Sequence, residues 1–358
     1  MNFFFDREFL WLVGGVLGLL VLATLVGLSL KASLSKSSDE IVPLGKGDHR
    51  GSLSRADAPT PFFPTPDLPQ PLLGKEGRTQ NKKATIANLN ARIRAWWVMC
   101  IIFGLALLMG KIGTTVLFGL ISFFALREFI TLTPTKRGDH RSLFWVFFII
   151  TPLQYWFVIE EWYGMFIILI PVYAFLFIPI CNAIAGDCER FLERTAKIQW
   201  GLMVCVYCVS HAPALLSLQI PGYEGQNIKL LFFFILVVQL SDVLQYVWGK
   251  CCGRRKIAPN ISPTKTWEGF WEGTLSATLV GALLWWATPF DPEQAAVMAF
   301  IITLMGFAGG LTMSAIKRDR GVKDYGTLIE GHGGIMDRID SICFAAPVFF
   351  HLTRFYFT

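Results

Sequence analysis

The chain has 358 residues, 53% of them apolar and only 16% charged, with 32 lysines and arginines against 26 acids for a formal charge of +6. A soluble domain carries roughly 25% charged residues, so this composition and a mean hydropathy of +0.50 exclude a cytosolic or secreted globule. The positive charge alone is compatible with nucleic acid, anionic lipid or a phosphorylated substrate. In a membrane chain the placement of the charges says more than their sum.

Taken in chain order, about ten segments are apolar enough to cross a hydrocarbon core, which needs roughly 20 helical residues. They lie near residues 8–30, 95–110, 112–126, 143–159, 162–185, 198–219, 229–248, 272–289, 294–313 and 339–357. The first follows Arg7 as a signal peptide would, but its apolar run exceeds a cleaved hydrophobic region, and it reads as an uncleaved helix. Only Lys111 and its neighbours separate the second from the third. The expected fold is therefore all-α, a polytopic integral membrane protein with about ten transmembrane helices.

Of the 32 basic residues, 28 fall in five alternate loops, at 31–94, 127–142, 186–199, 249–268 and 317–340. The intervening loops hold acids such as Glu160, Glu161, Glu224, Asp291 and Glu293. Basic loops stay in the cytoplasm, so both termini are expected outside and these five loops inside, in the cell's inner membrane. The loop at 31–94 carries seven of the eighteen prolines, between Pro43 and Pro71, among serine, glycine and mixed charge. Such a stretch buries too little apolar surface to offset its chain entropy and reads as a flexible linker. There is no repeat of a solenoid kind and no convincing pair of duplicated halves.

The eight cysteines form neither a disulfide ladder nor a zinc pattern. Cys205 and Cys208 have C-x-x-C spacing but sit inside an apolar run without a second pair, which reads as packing. The adjacent Cys251 and Cys252 suit free thiols in a reducing, cytoplasmic loop.

Two of the basic loops carry a denser chemistry. The first runs from Ser241 and Asp242, at the end of an apolar helix, through Arg254, Arg255 and Lys256 to Ser262-Pro263-Thr264-Lys265-Thr266-Trp267-Glu268-Gly269. The second runs from Ser314 to Asp340. Ser314, Lys317 and Arg318 share a helix face by their spacing. Lys323 and Asp324 follow in a glycine-flanked turn, and Gly331-His332-Gly333-Gly334 offers a backbone that a phosphate can approach. Asp337, Arg338 and Asp340 open the last helix, the two acids at i and i+3. Carboxylates beside clustered cations suit a magnesium-bound polyphosphate, hard oxygen ligands for the metal and positive charge for the phosphoryl oxygens. Taken singly, each residue has a plainer explanation, since cations at helix ends anchor topology and acids at a helix start favour the dipole. Their clustering favours a site, and Asp242 adds to it, because an acid near the end of a membrane helix is costly unless paired or facing a wet cavity.

The string Ser314-x-x-Lys317-Arg318-x4-Lys323-Asp324-x7-His332-Gly333-Gly334-x-x-Asp337-Arg338-x-Asp340 resembles the signature of the phosphatidate cytidylyltransferases, also called CDP-diacylglycerol synthases. The block from Ser262 to Gly269 is similar to a second motif of that family. The resemblance covers residues 229–358 strongly and 95–228 only in apolar character. Residues 1–94 add nothing to it, so the chain reads as an N-terminal membrane helix (1–30), the proline-rich loop (31–94), helices of the N-terminal half (95–228) and a catalytic membrane domain (229–358).

The resemblance implies an enzyme that joins CTP to phosphatidic acid among the membrane lipids, releasing pyrophosphate and forming CDP-diacylglycerol; the rival readings are another lipid phosphate as acceptor, or a non-catalytic binding protein or carrier for phosphorylated lipid. It implies dependence on Mg²⁺, alone or with a second cation, a homodimer, and no nucleic-acid partner. Carried over by position, Asp337, Asp340, Asp324 and Asp242 are metal candidates, and Lys317, Arg318, Lys323, Arg338, His332 and Ser314 catalytic ones. Lys265, Ser262, Thr266, Gly333 and Gly334 are candidates for substrate binding. One position departs from the pattern, because the family commonly has Gly-Asp shortly before the signature serine and this chain has Gly309-Gly310. Three readings stay open there: Asp242 or Asp337 suffices, the metal requirement differs, or turnover is lost.

Overall fold

Backbone polar groups in hydrocarbon must be satisfied within their own segment, which makes helices of the apolar runs. The computed structural model describes residues 75–133, 135–328 and 333–358, with scattered positions between residues 7 and 25. Residues 1–14 and 98–358 form one compact unit and residues 15–97 a second. Within the second unit, Trp97 Nε1 donates to Thr24 Oγ1 at 3.0 Å.

Six described helices are long and apolar enough to cross a membrane: α2 (Gly110–Thr131), α3 (Arg137–Ile159), α4 (Tyr163–Ile184), α5 (Phe191–Ser217), α6 (Asn227–Cys251) and α8 (Pro292–Asp319). They are preceded by α1 (Lys75–Leu108) and accompanied by α7 (Trp267–Leu283) and α9 (Met336–Phe357). Six of the ten expected spans thus stand as full-length apolar helices. The span expected at 8–30 falls about half outside the described residues, and its described positions are helical; that at 95–110 is the short apolar end of α1, Ile93–Leu108. The span at 272–289 is α7, which ends after 17 residues. That at 339–357 is α9, whose ends carry Asp337, Arg338, Asp340 and Arg354 and so dilute its hydropathy. The protein is an all-α polytopic membrane protein, with one small hairpin.

The linker expected over 31–94 lies outside the described residues up to residue 74, and from Lys75 the chain is helical. No proline follows Pro71 in that stretch, and its lysines, arginines, glutamine and alanines are good helix formers. Gly110 adopts φ +71°, a left-handed conformation natural to glycine, and it separates α1 from α2. Lys111 then donates to the Ile159 carbonyl at 2.8 Å and to Glu161 Oε1 at 2.6 Å.

The hairpin, β1 (Lys256–Ala258) against β2 (Ser262–Thr266), is antiparallel and joins α6 to α7. Thr266 caps α7, its Oγ1 accepting from the Gly269 N–H at 3.2 Å. Asp291 and Gln294 form a reciprocal cap on α8, with Pro292 at its first position, where its missing N–H costs nothing. Helices α6, α7, α8 and α9 pack as successive neighbours. Fully buried Phe234 and Phe349 stack at 5.2 Å between α6 and α9.

Small residues let membrane helices approach closely enough for dispersion to hold them. At Gly273 of α7 an added Cβ would lie 2.6 Å from backbone and side-chain atoms of Gln245, and at Gly269 it would lie 2.7 Å from the Gln245 carbonyl oxygen. Gly273→Val should therefore force α6 and α7 apart at a cost of about 2 kcal/mol. A lower unfolding temperature in detergent would register it, while an unchanged one would mean that the contact yields freely.

Candidate active site

The hairpin delivers Lys265. Its loop is closed by Glu268, whose carboxylate accepts from the N–H groups of Arg254 at 2.9 Å and Arg255 at 3.1 Å. Its turn is tied to the end of α8 by Arg318, which donates to the carbonyls of Ile261 at 3.1 Å and Val322 at 3.0 Å. Ser262 and Thr266 point inward and are buried. Lys265 reaches α8, with Nζ 4.4 Å from the centroid of the Phe307 ring. Burial pushes its ammonium below the ordinary lysine value, against the opposing pull of Asp242 and Asp340.

Asp242 of α6 and Asp340 of α9 meet across Ser341. The Ser341 hydroxyl donates to Asp242 Oδ2 at 2.5 Å, and its N–H donates to Asp340 Oδ1 at 2.9 Å. Gly310 of α8 forms the wall opposite. A Cβ there would lie 3.1 Å from Lys265 Nζ, 3.7 Å from Ser341 Oγ and 3.9 Å from Asp340 Oδ2. The position without a carboxylate therefore faces Lys265 and Asp340 directly.

Asp337, 8% exposed, faces a different way from Asp340. Its Oδ1 pairs with Lys317 Nζ at 2.8 Å, while its Oδ2 accepts from the N–H groups of Tyr325 at 2.8 Å and Gly334 at 3.0 Å. One carboxylate thus gathers the end of α8, the start of α9 and the loop between them. Tyr325 is buried, donates to the Met313 carbonyl at 2.9 Å, and its ring lies 5.5 Å from Lys317 Nζ. Lys317 stands close enough to Asp340 and Lys265 to act on both charges, which makes the two carboxylate clusters neighbours.

The remaining candidates are less convergent. The Ser314 hydroxyl donates to the Gly310 carbonyl of its own helix at 2.6 Å. Arg318 is exposed and engaged by the hairpin, and Arg338 is half-buried and acts electrostatically on Asp242. Lys323 and Asp324 are exposed on the loop. His332 lies outside the described residues. Gly333, at φ +83°, would place a Cβ 2.8 Å from Asp337 Oδ2, and Gly334 would place one 2.2 Å from Glu128 Oε2. In the protein alone, these glycines make room for carboxylates.

Glu128 of α2 has no place in either motif. It accepts from the N–H groups of Ile335 at 3.0 Å and Met336 at 2.9 Å, satisfying donors at the start of α9 where the helix dipole also favours a negative charge. Its signal in the sequence is an acid beside Arg127 at the edge of a basic loop.

Among the described residues, no three His, Cys, Asp or Glu side chains converge on a metal-binding centre. Asp242 and Asp340, with the Ser341 hydroxyl between them, nonetheless fit a magnesium ion that arrives with a polyphosphate. Such an ion takes one or two carboxylates and completes its shell with phosphate oxygens and water. Asp337 is committed to Lys317 and two backbone donors, and fits a positioning part better.

Membrane-length helices that bring together paired carboxylates and half-buried lysines at their ends suit a membrane enzyme that handles phosphate groups. Comparison places the chain within that class: residues 90–356 match the cytidylyltransferase family, and the chain belongs to it. It is 40% identical over 268 residues to the uncharacterized protein YnbB of Escherichia coli, covering 74% of this chain and 87% of that one. It is 35% identical over 183 residues to the phosphatidate cytidylyltransferase of Staphylococcus epidermidis, 46% of this chain and 70% of that one. Against the enzyme of the same name from Staphylococcus aureus the figures are 30% over 199 residues, 52% and 74%.

Glu128→Gln should weaken the two charge-assisted bonds by about 2 kcal/mol in total. Hydrogen exchange at the amides of Ile335 and Met336 would accelerate accordingly. Unaltered protection there would mean that the carboxylate does not hold the start of α9.

Proposed function

We propose that this protein transfers the cytidylyl group of CTP to phosphatidic acid, forming CDP-diacylglycerol and releasing pyrophosphate, in phospholipid biosynthesis. The observation that carries this reading is the meeting of Lys265, Asp242, Asp340 and Ser341 in one cluster beside the Lys317–Asp337 pair. The cluster lies at helix ends, where a water-soluble nucleotide and a lipid phosphate can meet while the acyl chains stay in the bilayer. Its proposed setting is the cytoplasmic side of the inner membrane, in a homodimer.

An oxygen of the phosphatidate monoester attacks the α-phosphorus of CTP in line, and the bond to the pyrophosphate oxygen breaks. That nucleophile is already anionic near neutral pH, so no general base is required. Catalysis rests on alignment and charge neutralisation. Lys265 and Lys317 neutralise phosphoryl oxygens, and Asp337 fixes Lys317 and the glycine loop. Asp242 and Asp340 would hold Mg²⁺, which when bound supplies Lewis-acid charge to the phosphates. Purified protein with CTP, phosphatidate and Mg²⁺ should yield CDP-lipid, and Lys317→Ala or Asp337→Ala should lower the rate by roughly a hundredfold or more. Normal turnover in both variants would exclude the assignment.

Gly310 favours a second reading, in which the chain accepts another lipid phosphate or binds one without turnover. A panel of lipid phosphates with radiolabelled CTP separates these outcomes. Gly310→Asp would set a carboxylate beside Lys265, and a gain in CDP-lipid formation would tie any deficit to this position. If the wild type is already active and the substitution slows it, Gly310 belongs to the working site.

A further inference from the structure

The far end of α9 carries a second group of polar side chains. Asp337 and Arg354 are 17 residues apart on this helix, a rise of about 25 Å, close to the thickness of a hydrocarbon core. The Arg354 guanidinium carbon sits 3.6 Å from the centroid of the Tyr163 ring. Both residues line an open hollow of about 640 Å³ together with His351, Leu352, Phe355 and Thr358.

Arginine near a helix end usually anchors topology by reaching into the headgroups. Arg354 is half-buried and stacked on an aromatic face instead. It also differs from the nearby Lys111, which pairs with Glu161 at 2.6 Å. Among the described residues no carboxylate lies within ion-pair reach of Arg354, so its fork of N–H donors lacks an anionic acceptor. Behind it, His351 stands 5.2 Å from the ring of His211, whose Nδ1 meets the Tyr207 carbonyl at 2.8 Å and whose Nε2 is buried with no partner. Phe355, 79% exposed, lines the hollow, and its ring meets that of Tyr356, 69% exposed, at 4.9 Å.

We propose that this hollow binds the phosphate of an anionic lipid headgroup, in the leaflet opposite the Asp242–Asp340 site. The guanidinium takes two phosphate oxygens, the geometry to which its fork is suited. Tyr163 holds it in place from behind by cation–π attraction. Phe355 and Tyr356 meet the glycerol and upper acyl carbons, which is why a lipid fits better than a free anion.

The test uses the full chain in nanodiscs of phosphatidylcholine with a minority of phosphatidylglycerol, and native mass spectrometry to count retained lipids. Phosphatidylglycerol should be retained in preference to phosphatidylcholine, and Arg354→Gln should weaken that retention on the order of tenfold, the loss of one charge-assisted bidentate contact. Arg354→Lys, which keeps the charge and loses the fork, should fall between them and serves in place of Arg354→Gln if that variant does not fold. Equal retention by wild type and variant overturns the proposal. So does displacement of the lipid by inorganic phosphate at equal concentration, which would identify a soluble anion as the occupant.

Discussion

The Asp337 carboxylate is the contact on which the motif-bearing end of this molecule depends. It is nearly inaccessible, and its two oxygens share one ammonium and two backbone N–H groups. Charge-assisted bonds of this kind are each worth about 1.5–3 kcal/mol, and losing one partner leaves the others buried and unsatisfied. Because the donors come from α8, from the intervening loop and from the turn before α9, the carboxylate determines how three pieces of chain meet. Glycine at 333 follows from it, since a side chain there would collide with Asp337, while glycine at 334 makes room for Glu128.

The second cluster is built on a different principle. Asp242 and Asp340 are brought together by helix packing, and a single serine hydroxyl spans them. Two acids held this way in a medium of low polarity repel each other unless cations stand near. Lys265 provides one such charge, and it comes on a hairpin whose own backbone donors are gathered by Glu268 and whose turn is braced by Arg318. The close crossing of α6 and α7 at Gly269 and Gly273 gives that hairpin its base. Small residues far from the charges therefore determine where the lysine lies.

The apolar runs were legible because hydrocarbon permits little besides a helix, so length and hydropathy placed the segments from 112 to 248 and from 294 to 313. The start of α1 at Lys75 was not, since its polar composition resembles that of the linker before it and only the end of the prolines separates the two. The two charged clusters were legible as residue types at spacings, but not as geometry. Spacing alone puts Asp337 and Asp340 on one face, whereas the side chains diverge, one toward the loop and the other toward α6. The approach of Asp242 to Ser341, 99 residues away, leaves no mark in local sequence, and neither does Glu128, 207 residues from the N–H it satisfies.

Glu128 also bears on how the chain can be divided. Both recognisable motifs lie after residue 229, which invites treating that stretch as a self-sufficient module with earlier helices as membrane filler. Yet the acid that terminates the last helix's free donors belongs to α2. A fragment cut at residue 229 would keep every motif residue and lose this clamp, leaving exposed amides at the point where the glycine loop turns into the bilayer. The early helices are thus a component of the site's scaffold, and recombining halves from distant relatives would require that this one acid and its landing place be inherited together.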